Sequence, residues 1–266
     1  MAGPLIAVWS PKGGTGKTMI SAGLAMHLVR RSPGNTLLVD LDAGGGHIGP
    51  LLQVSLRPSV LDYAFSTRTS IHPSGLHVLA GPARLVDAPL VTSELAQNVL
   101  EKAQAAGYLT VIDLDSDLRD STLVTLEKAD AVLLLTTPDL LSIYACRRFT
   151  QEAELIGLRT EKFRLVINRA TARTDLPEAE LLDLIGLPLA GRVPSLPGLA
   201  AAVNRGMMSA TGRSNTDFTV ALQQVADNLQ FAGVPDSPLA RVTSPIQTAE
   251  KPVGLIGAVR RWWRSL

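Results

Sequence analysis

The chain has 266 residues, 25 basic and 24 acidic side chains, 46% hydrophobic residues, 4% aromatic residues and one cysteine. That supplies apolar material for one sizeable core or two small ones, and it excludes a disordered, collagenous or disulfide-built protein. Ala, Leu, Val and Ile provide most of the apolar share, which suits helices packed on buried parallel strands better than an antiparallel sandwich.

In chain order, the first apolar run is Leu5 to Trp9, followed by a glycine-rich loop and a helical pattern from Thr18 to Arg31 with Ile20, Leu24 and Leu28 on one face. Strand-length apolar runs recur at 36–41, 76–80, 109–114, 131–136, 163–168 and 189–193. Helix-length stretches lie between most of them, notably 93–106, 140–157 and 177–185, and a last helix is expected over 215–231. Strands apolar on both faces that alternate with helices predict an α/β fold: a doubly wound, mainly parallel sheet with right-handed crossovers and ligands at the carboxyl ends of the strands.

The expected globular domain spans 1–232. Residues 233–252 carry Pro235, Pro238, Pro245 and Pro252 and read as an extended or disordered linker, and 253–266 form a separate tail. The tail holds Arg260, Arg261 and Arg264 with no acid, which leaves 22 basic against 24 acidic side chains for the rest. The opening residues have no basic segment before the glycine loop, so no signal peptide is expected. No apolar run approaches the ~20 residues that span a bilayer, so a soluble or peripherally attached protein is expected. Cys146 has no partner in the chain, which points to a reducing compartment and argues against a cysteine-built metal site. His27, His47, His72 and His77 show no ligand spacing and read as helix, loop or strand residues.

The stretch Pro11-Lys12-Gly13-Gly14-Thr15-Gly16-Lys17-Thr18 stands between the first strand and the first helix, where a phosphate-binding loop belongs. Glycines let backbone N–H groups curl inward onto phosphate oxygens, and the helix start adds the positive end of its dipole. Lys17 is then placed to reach the β- and γ-phosphates, and the Thr18 hydroxyl to coordinate Mg²⁺. The general pattern asks for glycine at Pro11 and has no lysine at Lys12. This loop resembles the deviant Walker A motif of the ParA/MinD superfamily of P-loop ATPases. The resemblance implies that Lys12 crosses a homodimer interface to the partner's nucleotide.

Three further segments carry the resemblance. Leu37 to Gly46 is similar to the family's first switch, which implies that Asp40 holds a magnesium-bound water and Asp42 positions the attacking water; two capping carboxylates at a strand end are the plain alternative. Val111-Ile112-Asp113 is similar to a Walker B strand, with Asp113 as the magnesium-associated acid. The family continues Asp-Thr-Pro-Pro, whereas here Leu114-Asp115-Ser116-Asp117 follows, so slow hydrolysis or an altered second switch is expected. Asp115, Asp117 and Asp120 read as a solvated acidic turn; a calcium loop is excluded by Leu118 and Val124 at the positions that need glycine and glutamate. Asn168 and Arg169 resemble the family's adenine-contacting pair, with a plain strand cap as the alternative, and Pro194 resembles the residue on the adenine's other side. A nitrogenase-reductase relative is set aside for want of bridging cysteines.

The likeness runs from about Leu5 to Phe231. Residues 37–49, 72–82 and 202–206 bring it nearest the CpaE/TadZ branch, associated with Flp (Tad) pilus assembly. Many members carry an N-terminal receiver-like domain, whereas the first strand here is expected at Leu5. In the tail, Leu255, Ile256, Val259, Trp262, Trp263 and Leu266 share one helical face and Arg260, Arg261 and Arg264 the other. That suits an anionic membrane surface, a docking site on the body, or a protein partner. The expected activity is a slow, partner-stimulated, Mg·ATP-dependent ATPase that dimerises and positions cellular machinery at the inner face of the membrane. A DNA-coating partition ATPase, or a scaffold with little turnover, are the alternatives; nucleic acid is disfavoured by the near-neutral body.

Overall fold

The computed structural model describes residues 2–170, 177–196, 198 and 216–229. The expected linker and tail, and the 202–206 segment, lie outside the described residues. Eight strands form one sheet: β1 (Leu5–Trp9), β2 (Thr36–Asp40), β3 (Ser70–Ile71), β4 (His77–Leu79), β5 (Leu109–Asp113), β6 (Ala131–Thr136), β7 (Phe163–Asn168) and β8 (Leu189–Val193). Their spatial order is β3-β4-β2-β5-β1-β6-β7-β8. All neighbours run parallel except the two-residue β3, which pairs antiparallel with β4 at the edge.

β1 therefore lies centrally, and the direction of winding reverses there. Alternation along the strands splits the core. Leu5, Ala7 and Trp9 face one side with α4 (Ser93–Ala105), α5 (Asp120–Lys128), α6 (Leu140–Glu152) and α7 (Glu178–Ile185). Ile6 and Val8 face the other, with α1 (Lys17–Leu28), the short α2 (Ile48–Leu52) and the last described helix, α8 (Thr216–Asp227). The four-residue α3 (Val60–Tyr63) adds Val60 and Tyr63 to the first layer.

α1 is buried nearly all round because it is sandwiched between the sheet and α8. Gly23 permits this close approach: a Cβ there would lie 2.6 Å from Leu222 Cδ1 and 2.8 Å from Phe218 Cε1. α5 was not expected from apolar spacing, since its buried face is mostly Ser121, Thr122 and Thr125 with Leu126. Asp120 accordingly belongs to a helix's first turn, where its charge meets the favourable dipole end, and not to the expected acidic turn. α6 stops at Glu152, short of the expected Gly157, because successive turns bring Leu158 N–H back to the Ala153 carbonyl at 3.0 Å and bury Leu158. Cys146 is buried on α6 as expected, its thiol against the Leu135 carbonyl.

Candidate nucleotide site

β1 ends at Trp9, and residues 10–16 curl over the carboxyl edge of the sheet into α1. Gly14 (φ 75°) and Gly16 (φ 94°) take the left-handed conformation that the curl requires. No side chain caps the start of α1, so its first amide N–H groups remain directed at whatever lies before the helix. A Cβ on Gly14 would meet nothing within 4 Å, so the loop's outer side is open.

Neighbouring strands hold this loop. From the end of β7, Asn168 is buried and donates from Nδ2 to the Thr15 carbonyl at 2.7 Å. Its Oδ1 accepts from Arg169 N–H at 2.9 Å, and Arg169, at φ 56°, reaches the Gly14 carbonyl at 3.2 Å. The pair thus braces the loop's backbone. One amide hydrogen of Asn168 is left for any base edge. Pro194 is partly buried just after β8, where the Val193 carbonyl accepts from Ala170 N–H at 2.9 Å.

The two lysines point apart. Lys17 Nζ donates to Ser116 Oγ at 2.5 Å, on the segment after β5. Lys12 Nζ pairs with Asp139 Oδ1 at 2.7 Å, and that same oxygen caps α6 by accepting from Ser142 N–H at 3.0 Å. Gly13 and Gly14 are the exposed crest between them.

Below the loop lies a buried acid pair. Asp40 and Asp113 are register neighbours at the ends of β2 and β5, both essentially without solvent exposure. Ser21, four residues along α1 from Lys17, donates to Asp113 Oδ1 at 2.9 Å, while Asp113 Oδ2 has no partner among the described residues. Burial pushes Asp113 up to about 7, against the pull of the Thr18 and Ser21 hydroxyls. Burial and the Asp113 charge raise Asp40 well above the usual carboxylate range. Asp40 accepts backbone N–H groups of Asp42 and Ile48, each at 3.1 Å, so it also ties down the 41–48 loop. Asp42 is partly exposed and folds onto its own loop, Oδ1 accepting from Gly44 and Gly45 N–H at 3.2 and 3.1 Å.

Two carboxylates, one with an unpartnered oxygen, beside the Thr18 hydroxyl and under an open anion-binding loop form a donor set suited to a hard cation. No cluster of three or more His, Cys, Asp or Glu side chains suited to a metal occurs among the described residues. A pair of carboxylates and a hydroxyl suits an ion of the magnesium kind, which takes one or two protein oxygens with phosphates and water making up the rest.

Residues 6–210 match the CobQ/CobB/MinD/ParA nucleotide binding domain family. The chain belongs to that family. An uncharacterized protein of Mycobacterium tuberculosis (strain H37Rv) is 28% identical over 227 residues, covering 80% of this chain and 61% of that protein, so the chain spans about three-fifths of this relative's length. An uncharacterized ATP-binding protein of Methanocaldococcus jannaschii is 23% identical over 84% of this chain and 86% of its own length. Among solved structures, a ParA family ATPase from Chlorobium tepidum superposes with a TM-score of 0.76 at 18% identity, over 86% of this chain and 98% of that one. MinD from Pyrococcus horikoshii, complexed with Mg-ADP, gives 0.73 at 18% identity over 85% and 95%. These structures share the fold of this MinD/ParA-family chain.

Three side chains that touch the site were not singled out from the sequence: Ser21, Ser116 and Asp139. Ser21 was findable as the one polar residue within the apolar stretch 19–26, one turn beyond Lys17. Asp139 shows as a helix-capping acid before Leu140, but its partner Lys12 does not. Ser116 sits where the chain departs from Asp-Thr-Pro-Pro.

No helix among the described residues is long and apolar enough to cross a membrane.

Proposed function

We propose that this chain is a Mg·ATP-dependent ATPase that dimerises face to face through Lys12 and uses the nucleotide cycle to position cellular machinery. The observation that carries this is the open glycine loop leading into an uncapped helix start, directly above a buried acid pair with a free carboxylate oxygen. In this reading the amides of Gly13, Gly14, Thr15 and Gly16, with Lys17, bind the phosphates, while Asn168, Arg169 and Pro194 border the base. Thr18, with Asp40 and Asp113 behind it, would hold Mg²⁺, which neutralises phosphate charge when bound. Asp42 orients the water that attacks the γ-phosphorus, giving ADP and phosphate. Lys12 leaves Asp139 to reach the nucleotide of a second copy.

The narrower reading is a CpaE/TadZ-like role in pilus assembly or a MinD-like role as spatial regulator, with unidentified protein partners, peripherally at the inner face of the cell membrane. Anchoring is assigned to Leu255, Ile256, Val259, Trp262, Trp263 and Leu266, with Arg260, Arg261 and Arg264 on anionic lipid. Each arginine contributes ~1 kcal/mol near an acidic leaflet, so one tail binds weakly and a dimer's two tails bind by avidity.

Calorimetry with Mg·ATP and Mg·ADP tests the core of this; no heat from either refutes it. Asp42→Ala should abolish phosphate release while sparing ATP binding, and unchanged turnover removes Asp42 from the mechanism. Co-sedimentation with anionic liposomes, comparing the full chain with one ending at Pro252, tests the tail; equal pelleting with ATP excludes it as the anchor.

A further inference from the structure

The bond between Lys17 Nζ and Ser116 Oγ joins the loop lysine to a residue 99 positions away. Ser116 also faces the loop's crest: a Cβ placed on Gly13 would lie 3.9 Å from its hydroxyl. The hydroxyl therefore lies at the tip of the side chain assigned to the outermost phosphates. Its backbone is set by Asp115, whose Oδ1 accepts Ser116 N–H at 2.6 Å and whose other oxygen meets Arg119 at 3.4 Å. Arg119 also binds Asp117 at 3.2 Å, so residues 115–119 form one linked turn.

We infer that Ser116 is a γ-phosphate sensor. It holds the Lys17 ammonium when no nucleotide is bound, and on ATP binding it hands that ammonium to the phosphates and donates its own hydroxyl hydrogen to a γ-phosphate oxygen. This deepens the nucleotide reading above and rests on it. A hydroxyl can accept from an ammonium in one state and donate to an anion in the other, which the proline or alanine side chain cannot do. The exchange conserves the lysine's hydrogen bonding and adds one charge-assisted bond only when a third phosphate is present. Because residues 115–119 are linked, the same exchange pulls on the turn that carries Leu118, whose side chain is exposed.

The test is calorimetric titration of the full chain and its Ser116→Ala and Ser116→Thr variants with Mg·ADP and with Mg²⁺ and a non-hydrolysable ATP analogue. The wild type's preference for the analogue over ADP should fall about tenfold in Ser116→Ala, the size of one lost bond to a charged group, and should survive in Ser116→Thr. ADP affinity itself should stay level or tighten, since Lys17 no longer has a competitor. A preference unchanged in Ser116→Ala, whether both affinities shift together or neither moves, overturns the inference: Ser116 then only parks the lysine. If wild type binds neither nucleotide, the nucleotide reading fails and takes this inference with it, whereas ADP binding without the predicted change of preference sinks the inference alone. A near-wild-type melting temperature in both variants identifies the change as local.

Discussion

Asp113→Asn should gain heat resistance relative to the wild type as the pH rises, in the nucleotide-free protein. The wild-type carboxyl is pushed from an ordinary 3.8 up to about 7 by burial, so between those values the folded chain keeps a proton that the unfolded chain has lost. Its contribution to stability is therefore greatest below the ordinary value and declines as the pH climbs to about 7. Between pH 5 and pH 7 that decline approaches tenfold in the folding equilibrium per pH unit, on the order of 3 kcal/mol in all. Asparagine keeps the oxygen that accepts from Ser21 and removes the charge that opposes Asp40, while burying an amide where Oδ2 had no partner. That last cost does not vary with pH. His27, His72 and His77 add their own pH dependence to each melting curve, because burial lowers all three and acid then destabilises the fold. They are common to both proteins, so the quantity to measure is the difference in melting temperature between variant and wild type in EDTA. It should move in the variant's favour by roughly 5 to 12 °C from pH 5 to pH 8. A difference that is flat across this range, or that moves the other way, refutes the account of the acid pair.

Gly23→Val should lower stability by about 2 kcal/mol and the melting temperature by roughly 4 to 8 °C, since the added carbons meet Leu222 and Phe218 on α8; protease sensitivity should increase there first. Gly16→Ala combines a left-handed backbone, worth ~1–2 kcal/mol of strain, with a Cβ 2.3 Å from Asn168 Nδ2, and should weaken nucleotide binding at least tenfold by calorimetry. Asp139→Asn retains an acceptor for Ser142 N–H but loses the charge that holds Lys12. It should leave the melting temperature within about 2 °C of wild type, and let the nucleotide-bound dimer form at up to about fivefold lower protein concentration in analytical ultracentrifugation. An unchanged dimerisation constant shows that the pair does not compete with the interface.

The loop, its lysines and the strands that frame it were legible because phosphate chemistry demands particular residue types at short fixed spacings, and because buried parallel strands are apolar on both faces. Asp40 and Asp113 were legible as acids at strand ends, but their adjacency was not, since it depends on β2 lying next to β5. The contacts that brace the site come from farther away still: Lys17 to Ser116, Lys12 to Asp139 and Thr15 to Asn168 link residues 99, 127 and 153 positions apart. Their pairing follows from β1 lying between β5 and β6, with β7 one place beyond, which no local pattern encodes. α5 lacks an apolar signature for a different reason, its buried face being made largely of hydroxyl side chains whose hydrogens return to the helix, as Thr125 Oγ1 does to the Ser121 carbonyl at 2.7 Å.

The contacts around the loop also differ in how easily they are exchanged. Lys12 and Asp139 have side chains 33% and 46% exposed, so their pairing is worth at most ~1 kcal/mol and a phosphate outcompetes it readily. The Lys17 to Ser116 bond is only partly buried and is of the same replaceable kind. The Asn168 amide is buried against the loop's backbone, and breaking that bond strands a polar carbonyl in the interior at a cost of ~1–3 kcal/mol. Nucleotide binding should thus reassign the two ammonium groups while the brace from β7 stays in place. The motion has to pass to the segments that hold the lysines, the 115–119 turn and the start of α6. These are the segments that carry the exposed Leu118, Leu140 and Leu141, so a change at the phosphates is delivered to surfaces that another protein copy or partner can read.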